Sequence, residues 1–300
     1  MKLKDNYHPY AIITIIFWSA AYVFTRLALR YFSPYSLGFL RYFIASLSLI
    51  VTALIIKIKI PNKKDIKWFI LAGFFGFFFY MITFNIGSVT VTAATGSIII
   101  ATVPIITTLL ARIIYNERIK KIQYIAIIIE FIGVGVLTLS NGVLSINIGI
   151  FWLLLAGLSL SIYNLLQRKL AKKYSAIQTA IISIWFGTIM LFLFFPNSVS
   201  EIKNAPIEQI MYIIILGIFS SAIAYITWTY AFSKAKNASS VTNYMFLTPF
   251  LTAILGILLA KEAIEYKTII GSTIIIVGMF IYNFAEKLFV KKGATSHNKR

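Results

Sequence analysis

The chain has 300 residues, 59% of them hydrophobic and 12% charged, with a mean hydropathy of +0.86 and a formal net charge of +19. That composition excludes an ordinary soluble domain and places the chain in the membrane class. It has no cysteine, and its two histidines, His8 and His297, lie at the extreme ends, which excludes disulfides, thiol nucleophiles and an intramembrane histidine acting as base or metal ligand.

Apolar runs of roughly 17 to 25 residues, the length that crosses hydrocarbon as a helix, predict ten spans. In chain order they are Pro9 to Leu29, Tyr35 to Ile56, Ile66 to Ile86, Thr92 to Ile114, Ile122 to Ser140, Ile148 to Leu166, Ala176 to Phe195, Ile207 to Phe232, Ala238 to Ala260 and Lys267 to Ala285. All connections are short, and the longest expected loop, Pro196 to Pro206, has a proline at each end. The first span follows Lys2 and Lys4 and contains Ser19, Ala20 and Ala21, like a secretory signal. Its apolar run is too long for a signal core and it matches a later segment, so it is read as retained.

Most of the 28 lysines and arginines fall in alternate connections, such as Lys57, Lys59, Lys63, Lys64 and Lys67, or Arg168, Lys169, Lys172 and Lys173. The positive-inside rule then predicts a multi-pass chain with both termini cytoplasmic. Because the charge comes in short clusters between apolar runs, it reads as topology and not as a nucleic-acid surface.

Adding 145 to the residue number lays Thr92 to Glu117 over Asn237 to Glu262. Ala93 falls on Ala238, Pro104 on Pro249, Thr107 on Thr252 and Glu117 on Glu262, and the register continues to Gly133 and Gly278. Five spans per copy is an odd number, so the second copy enters the membrane from the opposite side. The expected fold is an all-α polytopic membrane protein of ten transmembrane helices in two inverted five-helix repeats, 1–145 and 146–300, the second with a basic cytoplasmic tail. A solute site is expected between the copies.

Each copy has a proline in its fourth span. Proline deprives the carbonyl four residues back of its donor, for Pro249 that of Met245, and Thr242, Asn243, Tyr244 and Thr248 stand nearby. Such defects are tolerated facing protein or water, so Pro104 and Pro249 predict bent, gating helices four and nine at the heart of the site. Further polar faces follow helical spacing. Trp18, Tyr22 and Arg26 share one face of helix one, and an offset of 141 gives Ser159, Tyr163 and Gln167 on helix six. Tyr80, Thr83 and Gly87 form a face of helix three with Asn85 beside it, and Tyr225, Trp228 and Phe232 one of helix eight.

The candidate solute-binding set is Trp18, Tyr22, Arg26, Tyr80, Asn85, Thr95, Tyr163, Gln167, Tyr225, Trp228, Asn243, Tyr244 and Thr248. The plain alternative is that tyrosine and tryptophan near span ends anchor the interface, or that a buried tyrosine only bonds helix to helix. Helices two, five, seven and ten are greasier and are assigned to scaffold or a homodimer surface.

The segments ATVPIITTLLARIIYNERI followed by Gly133, and FLTPFLTAILGILLAKEAI followed by Gly271 and Gly278, resemble the ten-helix EamA branch of the drug/metabolite transporter superfamily. Arg41, in SPYSLGFLRYFIASL, looks like the arginine that family carries early in its second helix. The resemblance covers Tyr10 to Ala285 and implies a bacterial inner-membrane carrier of small metabolites, often an exporter of amino acids or related compounds, with proton antiport as the drive. Two departures are Ala126, where the second copy has Gly271, and Glu130, an acid where the family is usually apolar.

The embedded charges have competing readings. Arg26 and Arg41 sit towards the outer ends of their helices, where snorkelling to water is easy; Arg26, facing a cavity, would hold a carboxylate by two parallel hydrogen bonds. Glu117 and Glu262 end their helices beside cations and are read as fixed ion pairs or gate-edge contacts. Glu130 lies mid-span, where an ionised acid costs on the order of 2.5 to 3.5 kcal/mol; an interhelical hydrogen bond is preferred there over proton coupling.

The leading function is a secondary carrier working by alternating access, with a small-molecule solute and the bilayer as partners and no cofactor or metal. The chain carries no P-loop, so it does not power transport by nucleotide hydrolysis alone. A lipid-linked-substrate flippase, a channel and, with a single mid-span acid, an intramembrane enzyme are the alternatives.

Overall fold

Every described element of the computed structural model is helical. It describes residues 6–116, 121–138, 147–234, 241, 243–263 and 265–296, with side chains for all of these save 232, 233, 243, 246, 267 and 283–296. Seven helical stretches are long and apolar enough to cross a membrane: His8–Ala28 (α1), Pro34–Ile55 (α2), Lys63–Thr90, Ala93–Tyr115, Ile148–Leu170 (α8), Ala176–Lys203 and Ile207–Ala231. Two shorter apolar stretches, Thr248–Ala260 and Thr268–Tyr282, follow. The molecule is therefore a polytopic helical membrane protein.

Several spans are interrupted. The third comprises Ile66–Gly73 (α3), a π-helical segment Phe74–Phe79, and Tyr80–Thr90 (α4). The fourth comprises Ala93–Ala101 (α5) and Val103–Tyr115 (α6), followed by Lys121–Thr138 (α7). Ala176–Leu191 (α9) leads to Phe195–Lys203 (α10), and Ile207–Ile214 (α11) runs through a second π-helical segment, Ile215–Ile223, into Ala224–Lys234 (α12). A 3-10 turn, Asn243–Leu247, leads into Thr248–Ala260 (α13), and Tyr266–Ser296 is α14.

Local chemistry sets the starts. Ser33, Thr92 and Ser175 each accept a hydrogen bond from an amide three residues on, and Pro34 follows Ser33 in the first turn, where its missing N–H costs nothing. The expected loop after Pro196 is instead helical, because Pro196 occupies the first turn of α10. Glu201 of α10 accepts from the Ser33 amide at 2.9 Å and the Ser36 hydroxyl at 2.9 Å, tying that segment onto the start of α2.

The packing is paired across the chain. α1 lies against α12 and α13, while α8 lies against α4 and α6. α2 packs on Ile215–Ile223, and α9 packs on Phe74–Phe79. α5 meets α13, α2 meets α9, and α7 lies along α14. That last contact is close: a Cβ on Gly133 would come within 2.9 Å of the Gly271 carbonyl, and one on Gly278 within 3.0 Å of the Ala126 carbonyl. Apolar side chains such as Leu54, Ile113, Leu193 and Leu258 stay exposed on the outside, as a lipid-facing surface requires.

Candidate functional site

Where α1, α2, the third span, α8 and the eighth span converge, four tyrosines lie within electrostatic reach of one cation and a fifth adjoins them. Arg41 of α2 is 7% exposed, and its Nε donates to the Ser221 hydroxyl at 2.8 Å. Its guanidinium lies 5.7 Å from the centre of the Tyr42 ring and within electrostatic reach of Tyr22, Tyr80 and Tyr225. Tyr163 completes the group, within the same reach of Tyr42 and Tyr225. Tyr22, Tyr80 and Tyr225 sit deep in the bundle yet keep accessible surface. That combination marks side chains around an internal hollow and not in a sealed core.

The walls are aromatic. Trp18 stands edge-on to Tyr225 with centroids 5.8 Å apart and 5.0 Å from Trp228, while Tyr80 stacks on Phe84 at 5.5 Å. Tyr163 meets Phe77 edge-on at 5.1 Å, and Gln167 donates to its hydroxyl. The two π-helical segments shape this region. A π turn shifts the register of side chains by one position and frees backbone groups; Ser159 donates to the Phe75 carbonyl at 2.6 Å and Ser220 to that of Phe17 at 2.9 Å. Gly76 is needed where it stands, because a Cβ there would press into the Tyr163 ring.

One end of this hollow is bolted. Lys261 adopts a left-handed conformation, φ 54°, which ends α13 and turns Glu262 back so that its amide donates to the Gly256 carbonyl at 3.1 Å. The Glu262 carboxylate then bonds Arg26 Nε at 3.2 Å and the Ala93 amide at 2.9 and 3.2 Å, at the positive N-terminus of α5. Arg26 also donates to the carbonyls of Ser88, at 2.7 Å, and Val89. Four spans are joined by two side chains. At the lysine-rich end, the Tyr174 hydroxyl, at 2.8 Å, and Lys173, at 3.1 Å, hold the Asp65 carboxyl below its usual range.

Several expectations are corrected. Pro104 and Pro249 each sit in the first turn of a fresh helical segment, where a missing N–H costs no helical hydrogen bond. The carbonyl just before each proline is satisfied by a serine of a neighbouring helix, Val103 by Ser161 at 3.2 Å and Thr248 by Ser19 at 3.4 Å. Thr248 is buried, and it contributes this backbone joint. Arg26 is engaged by Glu262 and not turned to the tyrosines. Asn85 is fully buried and donates to the Pro34 carbonyl at 2.8 Å, joining α4 to α2. Thr95 is buried beside Thr92 and Thr268. Tyr244 stands by His8 and Tyr7 and packs, with Trp228, against Ala11, Ala231 and Val241.

Glu130 is 2% exposed, with neither oxygen hydrogen-bonded, and lies on the α7 face that meets Gly278 of α14. The interhelical hydrogen bond expected of it is absent among the described residues. Glu117, Thr242 and the side chain of Asn243 lie outside the described residues. Helix two, assigned to scaffold from its composition, supplies Arg41 and Tyr42. An arginine eight residues into an apolar helix was the available signal, since such a charge is costly unless used, but Ser221 is 180 positions away.

A polytopic helical bundle with a polar aromatic hollow, bolted at one end, has the construction of a membrane transporter. The profile of the EamA-like transporter family matches residues 7–139 and again 147–284, and the chain belongs to that family. It is similar to "Uncharacterized transporter YdfC" of Bacillus subtilis (strain 168), 32% identical over 91% of this chain and 90% of the relative. A protein named "Probable terminal-alkyne amino-acid exporter" from Streptantibioticus cattleyicolor is 25% identical over 91% of each. A solved crystal structure superposes with a TM-score of 0.61 at 16% identity, covering 93% of this chain and 97% of that one, a likeness of fold.

Proposed function

We propose that the chain is a secondary carrier, an exporter of small amphipathic metabolites of the amino-acid kind, working by alternating access in a bacterial plasma membrane with both termini cytoplasmic. The single observation that carries this reading is the cluster of Arg41 and five tyrosines, drawn from spans on both sides of residue 145. The amino-acid exporter among the relatives supports the solute class.

In this reading residues 1–145 and 146–300 are inverted five-span repeats of a ten-helix carrier, and rocking one against the other exposes the hollow to each side in turn. An offset of 145 residues supports it. It relates α1 on α13 to α8 on α6, α2 on Ile215–Ile223 to α9 on Phe74–Phe79, and the left-handed helix end at Asn116 to that at Lys261. The Gly133 and Gly278 contacts obey the same offset. The bolt at Arg26 and Glu262 makes this the conformation closed at that end, which positive-inside counting assigns to the outside.

Absence of native cysteine makes the test direct. In intact cells an impermeant maleimide is expected to label Ser200→Cys, and Lys59→Cys only after permeabilisation. Purified protein in liposomes is expected to catalyse counterflow of at least one amino acid or amphipathic relative, with loss in Tyr163→Ala. Reversed labelling refutes the orientation; lack of counterflow for every compound refutes the carrier.

A further inference from the structure

Arg41 is chemically incomplete. A guanidinium has five N–H donors in a planar fork and stays charged, yet only Nε has a protein acceptor, Ser221. Its two terminal nitrogens have no hydrogen-bond partner among the described residues. No described carboxylate neutralises it. Glu262 and Asp65 are engaged at opposite ends of the bundle, Glu201 is held at the start of α2 by Ser33 and Ser36, and Glu130 packs between α7 and α14.

The terminal nitrogens of this nearly buried cation keep accessible surface and no protein acceptor among the described residues, so they stand open to a ligand or to water. The surrounding groups are tyrosine hydroxyls, which donate well to an anion. The Ser221 bond holds the guanidinium plane, and Tyr42 stands against it at 5.7 Å. A planar fork with two free ends, ringed by hydroxyl donors and bordered by Trp18, Trp228 and Phe84, matches a carboxylate joined to an apolar body.

From this geometry we infer that Arg41 is the solute's anion clamp: the carrier takes carboxylate-bearing solutes, whose carboxylate docks on the terminal guanidinium nitrogens while the side chain lies against the aromatic wall. Ser221 is the positioning residue. This rests on the carrier reading and assigns its substrate class. The clamp is Arg41 and not Arg26, whose Nε and Nη1 already bond protein acceptors.

The probe is a panel of the common L-amino acids and their 2-hydroxy acids, each paired with its amide. Binding to purified protein is followed by tryptophan fluorescence and thermal shift. Wild type is expected to favour at least one acid over its amide by about 10- to 150-fold, the range of a charge-assisted hydrogen bond. Arg41→Gln should bind acid and amide alike, Arg41→Lys should keep a reduced preference because it retains charge without the fork, and Ser221→Ala should fall between Lys and wild type. A structural arginine would change the melting temperature in these variants and leave the acid-to-amide ratio alone. An amide bound as well as its acid, an unchanged ratio in Arg41→Gln, or a panel in which no acid binds overturns the inference. Counterflow of amides or amines in that case leaves the carrier standing; no counterflow of anything removes both.

Discussion

Cutting the bolt between Arg26 and Glu262 should open its end of the carrier. In Glu262→Ala the α5 N-terminus loses its anion and Arg26 loses its partner. Glu262 is 11% and Arg26 28% exposed, so the pair lies between surface bridges of at most about 1 kcal/mol and buried ones whose breakage costs about 3–5 kcal/mol. Three charge-assisted contacts sharing one carboxylate are not additive, and about 2–3 kcal/mol is the reasonable total. If that energy favours the closed state, its population ratio falls about 30- to 150-fold. The reporter is Thr95→Cys, 7% exposed and two residues beyond the gripped Ala93 amide. Its labelling by an impermeant maleimide should accelerate by that factor in Glu262→Ala. Exchanging the pair, Arg26→Glu with Glu262→Arg, should not restore slow labelling, because the new arginine would face the Ala93 amide and the new glutamate the Ser88 and Val89 carbonyls. A lower melting temperature with labelling unchanged within twofold would refute the gating role and leave a structural clip; rescue by the exchange would refute the geometry.

Three further outcomes are expected. Gly278→Ala should cost about 1–3 kcal/mol by overpacking, since its Cβ would meet Glu130 Cγ at 2.5 Å; Gly135→Ala, with nothing within 4 Å, should be neutral or stabilising, and melting curves compare them. Glu130→Gln should leave transport within about twofold and stability undiminished, because neither carboxylate oxygen holds a hydrogen bond to lose; loss of pH-driven flux in a folded variant would establish coupling there. Asp65 is held below its usual range by Tyr174 and Lys173, so its contribution is present above its unfolded pKa of about 3.9 and fades as pH falls through the folded value. Asp65→Asn should lower the melting temperature at pH 7 and converge with wild type in acid; a gap independent of pH would contradict the assignment.

Much of the architecture was legible because hydrocarbon imposes a simple rule. Backbone groups must be paired internally and side chains must be apolar for about 20 residues, so composition and run length alone locate helices such as α1, α2 and α8. The faces carrying Trp18 and Tyr22, and Tyr163 and Gln167, followed from helical spacing in the same way. The prolines were visible but their consequence was not. Pro249 stands at the start of a new helical segment behind the 3-10 turn Asn243–Leu247, and Ser19 of another helix bonds the Thr248 carbonyl beside it.

The sequence by itself determined that this is a membrane-embedded helical chain with an internal register of 145 residues and an unusual density of intramembrane aromatic and polar groups. Tertiary structure decided which of two similar arginines is ion-paired and which is not. Both read alike along the chain, as cations near a helix end. Only the arrival of Glu262 beside Arg26, and of the Ser221 hydroxyl beside Arg41, separates an ion-paired arginine from one held by a neutral group. The reason is physical: the state of a buried charge is set by the groups around it in space, and here those groups lie 236 and 180 positions away.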